Sequence, residues 1–174
     1  MTLKRLLYIS AFATPAMIAV MMWHGAPLKV PGISPRGIID MELACTPFRA
    51  AQLYNAWQPL LIERAITNTY IDFIFILCYG TLLCCLCLLV SSYFGALWRR
   101  AGKWLAVGML VAAFFDVVEN ILMLKILRGS MGPELVASTY MFAFVKFALV
   151  ITGILYIIAS WLAILLKPKP VLHA

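Results

Sequence analysis

Four long apolar runs dominate the chain, at about residues 6–23, 66–90, 104–127 and 138–166. Each has the roughly 17–25 residues, or slightly more, that cross a ~30 Å hydrocarbon layer as a helix. Roughly forty residues separate the first run from the second. The later connections are short: the basic segment Trp98-Arg99-Arg100-Ala101-Gly102-Lys103, then the turn Gly129-Ser130-Met131-Gly132-Pro133. This pattern predicts an all-α integral membrane protein, a single four-span helical bundle over residues 1–174 with an outer loop at 24–65. The first run follows Lys4 and Arg5 and has the outline of a signal peptide, with Ala11-Phe12-Ala13 as a cleavage site. Cleavage there would leave too short an apolar core, so a retained helix is expected, kinked at Pro15.

The outer loop carries a helix signal of its own. Thr46 before Pro47 is an N-cap and first-turn pair, and it predicts a short helix over 47–57. Tyr54, Trp57 and Leu61 fall near one face of it, at a level that suits the aromatic belt of the interface. Pro59 fits a second span that begins one turn early. A lid resting on the headgroups and a cap over a cavity both fit this pattern.

Composition confirms the class. Hydrophobic residues make up 64% and charged residues 12%, with a mean hydropathy of +0.98, whereas soluble domains carry about 25% charge. The length suits one compact bundle without a second folded domain. A net charge of +7 would suggest nucleic acid in a soluble chain. Here the basic residues flank the spans and no basic aromatic motif accompanies them. They set topology and touch lipid phosphates, and nucleic acid is not an expected partner.

If the chain crosses four times, Lys4, Arg5, Arg99, Arg100, Lys103, Lys167 and Lys169 share one side, which implies cytoplasmic termini. Lys29, Arg36, Arg49 and Arg64 make the outer loop basic as well and weaken the bias. The five cysteines form no secreted framework. Cys78, Cys84, Cys85 and Cys87 lie in one span and are expected to pack there as small hydrophobes, with palmitoylation of the 84–87 group as an alternative. Cys45 stands alone in the loop. Neither the cysteines nor His24 and His173 have metal-site spacing, so no metal or cofactor is expected.

The candidate chemistry lies inside the spans. Asp72, Asp116, Glu119 and Lys146 are ionisable groups at membrane depth, each costing roughly 2.5–3.5 kcal/mol on insertion scales. Asp116, Glu119 and Asn120 share one helical face with Met109, Ala112, Ala113 and Met123. Asn68, Asp72 and Tyr79 share a face of the second span, and Thr139, Lys146, Gly153 and Ile157 one of the fourth. Every span except the first is thus expected to have one polar stripe turned inward. Lys125 falls on the opposite side of the third span, where it can snorkel.

Depth can be counted at ~1.5 Å per residue from Arg64, Arg128 and Glu134 as outer boundaries. Asp72 then lies ~12 Å down, Glu119 ~13 Å, and Asp116 and Lys146 ~18 Å each. Groups from three helices should therefore converge in the outer half of the bundle. Three carboxylates and one ammonium would leave two uncompensated negative charges. Either one or two carboxyls then hold a proton or an external cation sits among them, and the set titrates as a unit.

The run Pro31-Gly32-Ile33, then Glu42-Leu43-Ala44-Cys45-Thr46, Arg49-Ala50 and Trp57 resembles a pattern in small four-span bacterial membrane proteins of unassigned function. Asp72-Phe73 before Tyr79-Gly80, Asp116, Glu119-Asn120 and Lys146-Phe147 continue it, so the resemblance covers about residues 30–150. It implies a bacterial cytoplasmic membrane and a shared site, with no activity to transfer. The layout is also similar to that of the EXPERA group of sterol isomerases and sterol-binding proteins. The Asp116-x-x-Glu119-Asn120 arrangement is not their motif.

The leading expectation is a site for a cation, a proton or an amine-bearing lipid or small molecule, bound or translocated. Its lining would be Asp72, Asp116, Glu119, Asn120 and Lys146, with Tyr79, Asn68 and His24 offering hydrogen bonds. Membrane lipids, and a membrane-protein partner or a second copy of the chain, are the partners this allows. One alternative is an accessory subunit of a membrane complex in which the charges hold helices together. Another is an intramembrane acid/base enzyme, isomerase-like, acting on a lipid substrate.

Overall fold

The computed structural model describes residues 2–166, so Lys167, Lys169 and His173 lie outside the described residues. Six α-helices follow one another: α1 (Leu3–Gly25), α2 (Ile38–Glu42), α3 (Pro47–Trp57), α4 (Leu60–Ser91), α5 (Ala96–Leu127) and α6 (Pro133–Leu165). Helices α1, α4, α5 and α6 are long and apolar enough to cross a membrane. The protein is an all-α four-helix membrane bundle. Among the described residues the sole β pairing is an isolated bridge between Val30 and Ser34.

The spans start earlier than the hydropathy pattern implies. Helix α4 begins at Leu60, directly after Pro59 and six residues before Ile66, and α6 begins at Pro133 rather than Ser138. Helix α5 begins at Ala96, so Arg99, Arg100 and Lys103 sit on its first turns instead of in a connecting segment. Hydropathy marks where hydrocarbon begins; arginine and lysine are good helix formers and carry the helix on into the headgroup layer. Helix α1 runs through Pro15 without a break. At the far end of α5, Gly129 adopts φ 96° and lets Ser130 N–H reach back to the Lys125 carbonyl, closing the helix.

Helix α4 is the central post: α5, α1 and α6 all pack on it, and α5 packs on α6. Helix α1 packs chiefly on α4, which leaves a cleft between α1 and α6. The few buried side chains of α1 are Ser10 and Thr14, so the first span also turns a polar pair inward, contrary to the reading of the sequence. Small residues allow close approach in the half of the bundle away from the cap. A Cβ on Gly153 would lie 2.6 Å from the Met109 thioether, and one on Gly102 would collide with Ser91 Cβ and the Tyr156 hydroxyl.

The outer loop folds as a cap. Thr46 Oγ1 accepts from Arg49 N–H at 3.2 Å and starts α3 at Pro47, as expected. Trp57, fully buried, donates its indole N–H to Leu28 O at 3.1 Å and Ser34 Oγ at 3.2 Å. Leu28, Met41, Leu53 and Trp57 form one core with Ile62 and Ala65 of α4, Met123, Ile126 and Leu127 of α5 and Val136 of α6. The cap is therefore packed into the end of the bundle and does not merely rest on headgroups. Its α2 turn, entered through Gly37 at φ 67°, is short and buries Asp40, Met41 and Glu42.

Candidate functional site

The polar stripes of α4, α5 and α6 meet where depth counting places them. Lys146 Nζ of α6 donates to Asp116 Oδ1 at 2.5 Å and to Glu119 Oε2 at 2.6 Å, both on α5. Asp116 Oδ2 accepts from the Tyr79 hydroxyl of α4 at 2.6 Å. Asn120, one residue past Glu119, donates to Asp72 Oδ2 at 2.6 Å. Asp72 is eight positions from Arg64 and Asn120 eight from Arg128, so each lies ~12 Å below its boundary. Equal depth from antiparallel helices is what brings these two together.

A further carboxylate joins from outside the spans. Glu42, at the end of α2, places Oε2 3.2 Å from Lys146 Nζ. Sequence reasoning missed it, because a loop residue has no depth that can be counted along a helix. Its signal was its place in the Glu42-Leu43-Ala44-Cys45-Thr46 run. Four carboxylates (Glu42, Asp72, Asp116 and Glu119) now surround a single ammonium, and full ionisation would leave three uncompensated negative charges. Such a group cannot stand in a low-dielectric bundle, so it holds protons or a cation.

These side chains divide into two sets. Lys146 is clamped by Glu42, Asp116 and Glu119 and ties α2, α5 and α6 together. Glu119 is fully buried behind this clamp and does not line the cavity described below. Asp72 is different: its carboxylate has the Asn120 amide as partner but no Lys or Arg within ion-pair distance among the described residues. Asn68 is spent mainly on α1, with its amide 3.5 Å from Met21 O and 3.4 Å from His24 Nδ1. Arg64 reinforces this joint by donating to His24 O at 2.8 Å. Lys125 is exposed on the opposite side of α5, as expected.

Beside the carboxylates runs a cavity of about 530 Å³ in the cleft between α1 and α6. Glu42, Asp72, Asp116, Tyr79 and Lys146 line one wall of it. Phe75, Leu82, Leu83, Val150 and Ile154 line the deeper part, and Lys29 and Arg36 of the loop line its outer mouth. Along α4 it extends from Asn68 to Leu83, about 22 Å at 1.5 Å per residue. Ile18 and Met22 of α1 and Ile154 of α6 border it at 42%, 64% and 39% exposure, so the cleft opens sideways toward the acyl chains. Thr14 also lines it, more than nine-tenths buried, and its Oγ1 has no hydrogen-bond partner in the protein. Glu119 Oε1 and Asn120 Oδ1 are likewise buried without a partner. Each such orphan costs about 1–3 kcal/mol unless a proton, water or bound group satisfies it.

Among the described residues no three His, Cys, Asp or Glu side chains are disposed to hold a metal ion. Cys85 and Cys87 are buried, Cys78 and Cys84 half-buried and Cys45 exposed, all as free thiols.

Fold and site together define an integral membrane helical bundle with an intramembrane carboxylate–lysine cluster beside a laterally open cavity. No family model, curated protein or solved structure matches the chain.

Proposed function

We propose that the protein binds an amine-bearing amphiphile in the cleft between α1 and α6, with the amine against Asp72. The observation that carries this reading is the state of Asp72: a carboxylate on the cavity wall, held in place by Asn120, with no cation of its own. An ammonium brought by a ligand would supply that cation and reduce the excess negative charge of the cluster. The deeper lining, Phe75, Leu82, Leu83, Val150 and Ile154, is apolar, which favours an amphiphile over a bare ion. Thr14 Oγ1, on the cavity wall and without a partner in the protein, offers a further hydrogen-bond position.

The structural role of the charges is not an alternative to this but a division of labour. Lys146, Glu42, Asp116 and Glu119 fasten three elements; Asp72 is left for the ligand. The reading places the protein in a bacterial cytoplasmic membrane with both termini inside. It rests on the resemblance noted above and on Lys4, Arg5, Arg99, Arg100 and Lys103 lying at the same end of the bundle.

The test uses oleylamine and oleyl alcohol, equal in chain length, titrated against the full chain in detergent with native mass spectrometry as the readout. Oleylamine should bind at least tenfold more tightly than the alcohol. Asp72→Asn should abolish that preference while leaving the unfolding midpoint unchanged. Equal binding of amine and alcohol, or an Asp72→Asn protein that keeps the preference, would overturn the reading.

A further inference from the structure

Lys29 and Arg36 give the mouth of the cavity the opposite charge to its interior. Lys29 is exposed and has no carboxylate within ion-pair distance among the described residues. Arg36 is oriented by buried Asp40, which accepts from its backbone N–H at 2.7 Å and from Nε at 2.9 Å, and its guanidinium remains largely exposed. Both line the same cavity, and the backbone next to Arg36 runs against Lys29: a Cβ on Gly37 would sit 3.4 Å from Lys29 Cγ. The same Gly37 Cβ would be 3.7 Å from Gly25 O, and a Cβ on Gly25 would be 3.4 Å from Asn68 Nδ2. Asn68 stands one helical turn, ~6 Å, above Asp72. The loop that carries the basic pair therefore packs beside the Asn68 level of α4, on the cap side of Asp72, and all three residues line the same cavity.

We infer that Lys29 and Arg36 form a phosphate subsite, so that the occupant of the cleft is an outer-leaflet phospholipid with a primary-amine headgroup. This rests on the amine reading above and adds the second charge of the ligand. Positive groups at the mouth and carboxylates deeper in the same cavity match a headgroup that carries both a phosphate and an ammonium. A bare alkylamine leaves the mouth unused, and an anionic lipid leaves Asp72 without a partner. The acyl chains leave sideways past Ile18, Met22 and Ile154, the exposed apolar edges of the cleft. Arginine and lysine are the usual partners of phosphate oxygens, the former through paired N–H groups.

The test measures binding of dioleoyl phosphatidylethanolamine, phosphatidylcholine and phosphatidylglycerol, and of oleylamine, to the full chain by native mass spectrometry. Lys29→Glu is the variant, chosen because the side chain is exposed and unpaired and its loss leaves Asp40 with Arg36. The wild type should bind the ethanolamine lipid about tenfold more tightly than the other two phospholipids. Lys29→Glu should reduce that binding about tenfold and leave oleylamine binding within twofold. An ethanolamine lipid unaffected by Lys29→Glu, with oleylamine still bound, would overturn the phosphate subsite and leave the amine reading standing. Loss of both ligands only in Asp72→Asn, together with the Lys29→Glu effect, supports both. Failure of oleylamine and the ethanolamine lipid alike to bind the wild type would overturn both, whereas failure of the ethanolamine lipid alone would overturn the phosphate subsite. Competition by water-soluble phosphoethanolamine at equal concentration would overturn the assignment to a membrane lipid.

Discussion

Replacing Lys146 by methionine removes the only ammonium among four carboxylates while nearly preserving side-chain volume. The lysine nitrogen lies 2.5 Å from Asp116, 2.6 Å from Glu119 and 3.2 Å from Glu42, all of them buried. Removing one partner of a buried ion pair typically costs about 3–5 kcal/mol, because the remaining charge is left uncompensated. Three carboxylates lose their partner at once, but protonation limits the penalty, so the upper part of that range is expected. Against a typical folding stability of about 5–15 kcal/mol this is a large fraction. The assay is reversible unfolding in mixed micelles followed by circular dichroism. The decisive variant combines Lys146→Met with Asp116→Asn and Glu119→Gln. It should recover about 2 kcal/mol or more relative to Lys146→Met alone, since the interaction between contacting groups is not additive. If Lys146→Met were within about 0.5 kcal/mol of wild type, or the combined variant merely added its separate costs, the clamp described here would be wrong.

Two further outcomes test the packing. Trp57→Ala removes a fully buried ring and its two hydrogen bonds, which should cost about 3–5 kcal/mol and speed limited proteolysis within the cap; an unchanged cleavage rate would contradict a cap packed into the bundle. Gly102→Ala should destabilise by about 1–3 kcal/mol, because the new methyl meets Ser91 Cβ. Gly153→Ala should cost less than about 1 kcal/mol, because it meets only the flexible end of Met109. Thermal midpoints of the two variants in the same detergent would check that order.

Much of this site is legible in the chain because it lies within helices. The three- and four-residue steps between Asp116, Glu119 and Asn120 fix a face, and counting from Arg128 and Glu134 puts Asp116 level with Lys146, which the 2.5 Å contact matches. Thr46 and Pro47 announce α3 for an equally local reason. What periodicity lacks is the choice of neighbours. That α1 packs on α4, so that a cavity opens between α1 and α6, goes with the contacts of Asn68 and Arg64 to the end of α1, which no period in the sequence announces. Asn68 looks like a ligand group from its face alone; in the structure most of its amide contacts go to α1. Glu42 enters the cluster through the fold of a loop, where no period exists to follow. The basic start of α5 shows the converse: its charges mark the edge of the hydrocarbon, not the end of the helix.

The central claim is that Asp72 faces a space reached from the lipid phase, whereas Glu119 lies behind the clamp. A hydrophobic carbodiimide added to reconstituted membranes attacks carboxyls that hold a proton and can be reached from lipid, and peptide mass spectrometry locates the adduct. The account predicts modification at Asp72, suppressed by oleylamine, with Glu119 untouched. An unmodified Asp72, or equal labelling of Asp72 and Glu119, would contradict it.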